Sequence, residues 1–83
     1  IFLVQVDSAI VERNDVNRAL RTGVTTFQGI NLEAGAEGVM IRNNRIHSGF
    51  NSATARTAAA FGVRISTPGT ITKTNYIVNN LIY

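Results

Sequence analysis

Eighty-three residues, 45% hydrophobic and 16% charged, allow one small domain and are too apolar for a disordered chain. With no cysteine, neither a disulfide framework nor a cysteine-ligated metal site is available. The +3 formal charge comes from scattered bases, a mild preference for anionic partners without the basic stripe and interleaved aromatics of a nucleic-acid surface.

The chain opens on Ile1-Phe-Leu-Val-Gln-Val6, a β-branched and aromatic run that reads as a strand, with Asp7-Ser8 as its turn. It carries neither the basic n-region nor the cleavage site of a signal peptide. Residues 9–13 read as a second short strand and residues 15–17 as a third, with Asn14 as the bend between them. The alternative for residues 15–21 is one or two helical turns ended by Gly23. The next cycle starts at Thr25, where Ile30, Asn31, Leu32 and Glu33 alternate with the period of a half-buried strand. Residues 34–38 form a small-residue turn, residues 39–43 a strand, Asn44 a bend, and residues 45–47 a strand. Gly49 opens the long irregular stretch 50–61, whose centre, Ala53 to Ala60, reads as a short helix or a surface loop. A third cycle follows: strand 62–66, a Thr67-Pro-Gly69 turn, strand 75–79, a bend at Asn80, and strand 81–83.

These cycles are copies. Val11 to Val16, Ile41 to Ile46 and Ile77 to Ile82 align without a gap as apolar, variable, polar, Asn, variable, apolar. The shared asparagines Asn14, Asn44 and Asn80 are 30 and 36 residues apart, a spacing that signals a solenoid or array. Coils of about 1–24, 25–61 and 62–83 follow, with length differences confined to turns and loops. Opening without an initiator Met inside one strand-like run and closing inside another, the chain reads as a segment of a longer protein or assembly.

The phrases Gly-Val-Met-Ile-Arg-Asn-Asn-Arg-Ile and Tyr-Ile-Val-Asn-Asn-Leu-Ile resemble the coil repeat of right-handed parallel β-helices, the fold of pectate-lyase-like proteins. The expected fold class is all-β, a β-solenoid segment of about three coils. No coil buries its own apolar face, but stacked coils ~4.8 Å apart share parallel sheets and a continuous core. The expected inward stacks are Val4, Ile30 and Val63; Val6, Leu32 and Ile65; Val11, Ile41 and Ile77; and Val16, Ile46 and Ile82. The three asparagines are then in line to pass amide hydrogen bonds from coil to coil. The plainer alternative is three unrelated turn asparagines.

Activity is far less specified, because lyases, hydrolases, epimerases, tailspikes and adhesins share this repeat. The resemblance points to the first sheet as a carbohydrate groove, with Gln5, Asn31 and Arg64 as the outward row, Asp7 and Glu33 beside it, and Arg56 on the long loop. Arg64 suits a uronate carboxylate; the bland alternative is an ordinary solvated face. Asp7 and Glu33 are stacked acid candidates in this register. On the second sheet Ile10, Met40 and Tyr76 line up outward as a candidate partner ridge, flanked by a Glu12–Arg42 ion pair. His47, the single histidine, faces outward between Asn17 and Tyr83 as an ordinary surface residue. No complete catalytic constellation, metal cluster or cofactor motif is visible, and no apolar run approaches the ~20 residues of a bilayer span. Two readings follow, both extracellular, cell-surface or virion-associated. One is a polysaccharide-binding or -processing β-helix segment. The other is a structural module that stacks end to end with further coils or docks to protein partners in a fibre, sheath or adhesin.

Overall fold

A computed structural model describes residues 1–18, 26–49, 59–67 and 69–83. Nine strands follow one another: β1 (Phe2–Leu3), β2 (Ile10–Glu12), β3 (Asp15–Asn17), β4 (Phe27–Leu32), β5 (Met40–Arg42), β6 (Arg45–His47), β7 (Ala60–Ile65), β8 (Tyr76–Val78) and β9 (Leu81–Ile82). They form three parallel sheets of three strands, β1-β4-β7, β2-β5-β8 and β3-β6-β9, so each sheet takes one strand from every cycle. The chain is all-β in its described residues, a coiled parallel repeat compatible with a β-solenoid. The helical alternative at 15–21 gives way to β3 over residues 15–17; residues 19–21, the stretch 53–58 with Arg56, and Pro68 of the third turn lie outside the described residues.

The second and third sheets have the register expected from the repeat. Val11 pairs with Ile41 and Ile41 with Ile77, while Val16 pairs with Ile46 and Ile46 with Ile82. Ile41 and Ile46 are fully enclosed, and with Ile30, Leu32, Val39, Ala36, Phe27 and Val11 they make the core. Burying each large aliphatic side chain is worth roughly 1.5–3 kcal/mol against leaving it in water. The middle coil thus holds most of the hydrophobic stabilisation.

The first sheet departs from expectation. Leu3, not Val6, pairs with Leu32, and Phe2, not Gln5, pairs with Asn31, an offset of three residues. The opening run is apolar at five of six positions, so hydrophobic alternation does not choose its register. The deciding contacts lie in the turn. Gln5 takes a left-handed conformation (φ 52°), its N–H donates to Ala34 O, and the chain has already left the sheet. Val4 is consequently exposed, and Val6 packs on the core from the turn. On the β4–β7 side the expected pairs Ile30 with Val63 and Leu32 with Ile65 are present.

The bends also divide their work differently from the sequence reading. The left-handed residue is the one before each repeated asparagine: Arg13 (φ 56°), Asn43 (φ 54°) and Asn79 (φ 52°). Asn14, Asn44 and Asn80 are left free to turn their amides inward. Asn14 Nδ2 donates to Asn44 Oδ1 and Asn44 Nδ2 to Asn80 Oδ1, both at 2.9 Å. The backbone N–H groups of Asn14 and Asn44 donate to the same oxygens at 3.1 and 3.0 Å. Asn44 Nδ2 also reaches Val11 O, and Asn80 Nδ2 reaches Ile41 O. A second amide tie lacks repeat copies: Asn75 Oδ1 accepts from Val39 N, and its Nδ2 donates to Ala36 O.

Candidate functional site

The outward row on the first sheet is Phe2, Asn31 and Arg64. Asn31, Glu33 and Arg64 do come together. Asn31 Nδ2 donates to Glu33 Oε1 at 2.5 Å and to Gln28 Oε1 at 3.2 Å, and Arg64 Nη1 meets Glu33 Oε1 at 3.4 Å. Asn31 is wholly buried and its Oδ1 has no hydrogen-bond partner. Gln5 and Asp7 leave this row. Gln5 lies in the turn against Gly35, and Asp7 pairs with Glu37 in an isolated parallel bridge, so it does not stack on Glu33.

Asp7 and Glu37 bring two carboxylates side by side, and Lys73 from the third cycle binds both, in direct contact with Asp7 Oδ2 and 3.4 Å from Glu37 Oε1. The hydrogen bond from Lys73, then that from Ser8, holds the Asp7 carboxyl below its ordinary range, and the Asp7 contact raises the Lys73 ammonium above its own. The depressed Asp7 value means stability present above the ordinary carboxylate pKa and lost as pH falls through the lowered one. The raised Lys73 value means stability present below its ordinary pKa and lost as pH rises through the raised one. The thermal midpoint of Lys73→Met should therefore lie below the parent's by a constant margin between about pH 5 and pH 9.5. That margin should narrow at both extremes; one that persists unchanged to pH 3 would show that the carboxylate contact contributes nothing.

On the second sheet Ile10, Met40 and Tyr76 stack in register, and Arg42 Nε meets Glu12 Oε2 at 2.7 Å, as expected. Ile10 and Tyr76 are exposed and Met40 is half-buried.

The third sheet carries a polar cluster that is denser than the lone histidine suggested. Asp15 pairs with Arg45 and Asn17 with His47 across the sheet. His47 Nε2 lies 2.8 Å from Asp15 Oδ1, its Nδ1 2.9 Å from Ser48 Oγ, and its ring stacks on Tyr83 at 5.3 Å with a 12° interplanar angle. Arg45 Nε donates to the Tyr83 hydroxyl at 2.9 Å. The Asn17 amide, then His47, lowers the Asp15 pKa, and the Tyr83 hydroxyl raises that of Arg45. Asp15, His47 and Ser48 are in contact, but Ser48 is the chain neighbour of His47 and both ring nitrogens are engaged. The cluster clips three coils together. Beside it, a half-open apolar hollow of about 190 Å³ is lined chiefly by Phe27, Ile46, Gly62 and Ile82. Among the described residues no group of three or more His, Asp or Glu side chains is placed to hold a metal ion.

One rule covers the charges. All five carboxylates meet a base from a later coil: Glu12 with Arg42, Asp15 with Arg45 and His47, Glu33 with Arg64, and Asp7 and Glu37 with Lys73. Exposed pairs of this kind are worth ~0–1 kcal/mol each. Their common geometry makes them ties between coils.

The surface with most unspent interaction is the third coil itself. Its inward residues Ile65, Ile77 and Ile82 are 42%, 44% and 51% exposed, whereas their partners Leu32, Ile41 and Ile46 are at most 1% exposed. Among the described residues β7, β8 and β9 are the edge strands on that side of the three sheets, and an edge strand presents unpaired backbone groups. The sequence signal for this surface was the repeat, which gives the third coil the same core face as the two before it. No protein-family model, curated protein or solved structure matches this chain.

Proposed function

We propose that the chain is a structural module of a right-handed parallel β-helix, built to be covered by a further coil in an extracellular or virion-borne fibre, sheath or adhesin. Handedness follows from the near-universal right-handed crossover between parallel strands. The observation that carries the proposal is the third coil, whose core residues Ile65, Ile77 and Ile82 stand half in water above a closed middle coil. Repeat proteins protect such ends with capping repeats or with neighbours. Fusing a polar-faced capping coil after Tyr83 should therefore add about 2 kcal/mol and raise the thermal midpoint by about 10 °C. An unchanged midpoint in a capped chain whose circular dichroism shows the added strand would sink the proposal.

Polysaccharide binding is the second reading, favoured by the exposed Phe2 and Phe61 beside Arg64, whose guanidinium lies 6.0 Å from the Phe61 ring centre. A glycan array separates the two. Binding that survives capping and is abolished by Arg64→Ala would put the function on the first sheet instead.

A further inference from the structure

We infer that Met40 is a site of reversible peroxide oxidation whose sulfoxide is held by Arg42, so that oxidation makes the outward ridge of the second sheet polar while the fold stays intact. The inference goes beyond the stacking reading and does not depend on it. Three observations carry it.

The first is position. Met40 lies on β5, the middle strand of its sheet, between Ile10 on β2 and Tyr76 on β8. Its chain neighbours Val39 and Ile41 are fully enclosed in the core, so strand alternation points the thioether outward. Met40 is half-buried with a coil on either side, so the three coils themselves set its surroundings. With one methionine and no cysteine in the sequence, this is the single sulfur of the chain.

The second is the neighbouring base. Arg42 is two residues on along the strand and shares the outward face. Glu12 Oε2 accepts from its Nε at 2.7 Å, which orients the guanidinium and sets Nη1 3.8 Å from Met40 Sδ. A thioether is a weak acceptor, and at that distance the contact is slight. An oxygen added to the sulfur on that side comes within reach of Nη1 and accepts a charge-assisted hydrogen bond. The planar fork of arginine can then hold Glu12 and the sulfoxide together, which a compact lysine ammonium cannot match.

The third is what the oxygen would change. Ile10 and Tyr76 are exposed, and Met40 is the centre of their apolar row. Sulfoxide formation turns a flexible apolar side chain into a polar one, so the row is broken at its middle. The step balances with a peroxide as oxidant. The sulfur lone pair attacks one peroxide oxygen, the S–O bond forms as the O–O bond breaks, and the sulfur gives up two electrons. The departing hydroxide takes the remaining proton and leaves as water. Methionine sulfoxide reductases reverse the change.

The test treats the chain with hydrogen peroxide. The parent should gain one oxygen, placed at Met40 by peptide mass, and Met40→Leu should gain none. The oxidised parent should keep its circular dichroism, hold its thermal midpoint within about 2 °C, and elute earlier from a hydrophobic-interaction column. In Arg42→Lys, and in Arg42→Ala, the same oxidation should lower the midpoint by about 5 °C, because the sulfoxide loses its partner. Treatment with the reductase should restore the parent's elution. A sulfur that stays reduced where free methionine is fully oxidised overturns the inference. So do equal midpoint shifts with and without Arg42, an elution that ignores the oxygen, or a shift that persists after the oxygen is removed.

Discussion

Replacing Asn44 with alanine is expected to lower the unfolding free energy by about 2–4 kcal/mol. The residue is 2% exposed and its amide serves three coils at once. Its oxygen takes the N–H and Nδ2 of Asn14, and its nitrogen gives to Val11 O and Asn80 Oδ1. Alanine leaves Asn14 N without a partner in a region with little access to water, at ~1–3 kcal/mol, and takes from Val11 O the amide bond it accepts. Asn80 Oδ1 and Asn14 Nδ2 suffer less. The first retains the Asn44 backbone N–H, and the second retains Glu12 O. Asn14→Ala should cost only about 1 kcal/mol, because it deletes one end of the ladder and strands no acceptor in the middle. Urea denaturation of both variants checks the order. Equal losses would mean that the amides act as independent turn residues, which the sequence alone also allowed.

That ladder was readable because three copies of one pattern shared it. Val11, Ile41 and Ile77 carry the same flank, and Val16, Ile46 and Ile82 the other, so the register of the second and third sheets was over-determined. Where copies were lacking, legibility failed. The opening run has no polar residue before Gln5 to mark which face is wet, and its register was set by a left-handed turn that hydrophobicity does not encode. Asn75 has no counterpart in the earlier cycles, so its tie to Val39 and Ala36 could not be aligned. The bend was assigned one residue late because asparagine is a good candidate for both jobs. In the first coil an arginine takes the left-handed position, which shows that the inward amide is the more demanding of the two. The candidate site shifted for the same reason as the first strand. A three-residue slip takes Gln5 and Asp7 out of the row and puts Phe2 into it. The charge ties were half visible. Glu12 with Arg42 followed from strand register, but Lys73 reaches Asp7 and Glu37 from a turn longer than its equivalents.

Gly29→Ala should cost about 2–3 kcal/mol, with Gly62→Ala at about 1 kcal/mol or less. The two glycines occupy matching positions inside β4 and β7. A Cβ on Gly29 would stand 2.6 Å from Gly62 O and 2.6 Å from Ile46 Cγ2. The carbonyl cannot yield, because it belongs to a strand hydrogen-bonded across the first sheet, and Ile46, 1% exposed, can shift only toward the hollow it lines. A Cβ on Gly62 would meet Ile82 Cγ2 at 2.5 Å, which is just as close, yet Ile82 is half-exposed at the open coil and can rotate away. The same clash therefore has two costs, decided by whether the neighbour has somewhere to go. Ile46→Val in the Gly29→Ala background should restore less than half of the loss, because the carbonyl contact remains. The capping coil gives the comparison a second use. Once it covers Ile82 that freedom disappears, and Gly62→Ala should become as costly as Gly29→Ala in the capped chain while staying mild in the uncapped one. A gap between the two variants that does not narrow on capping would mean that a further coil does not seat on the third.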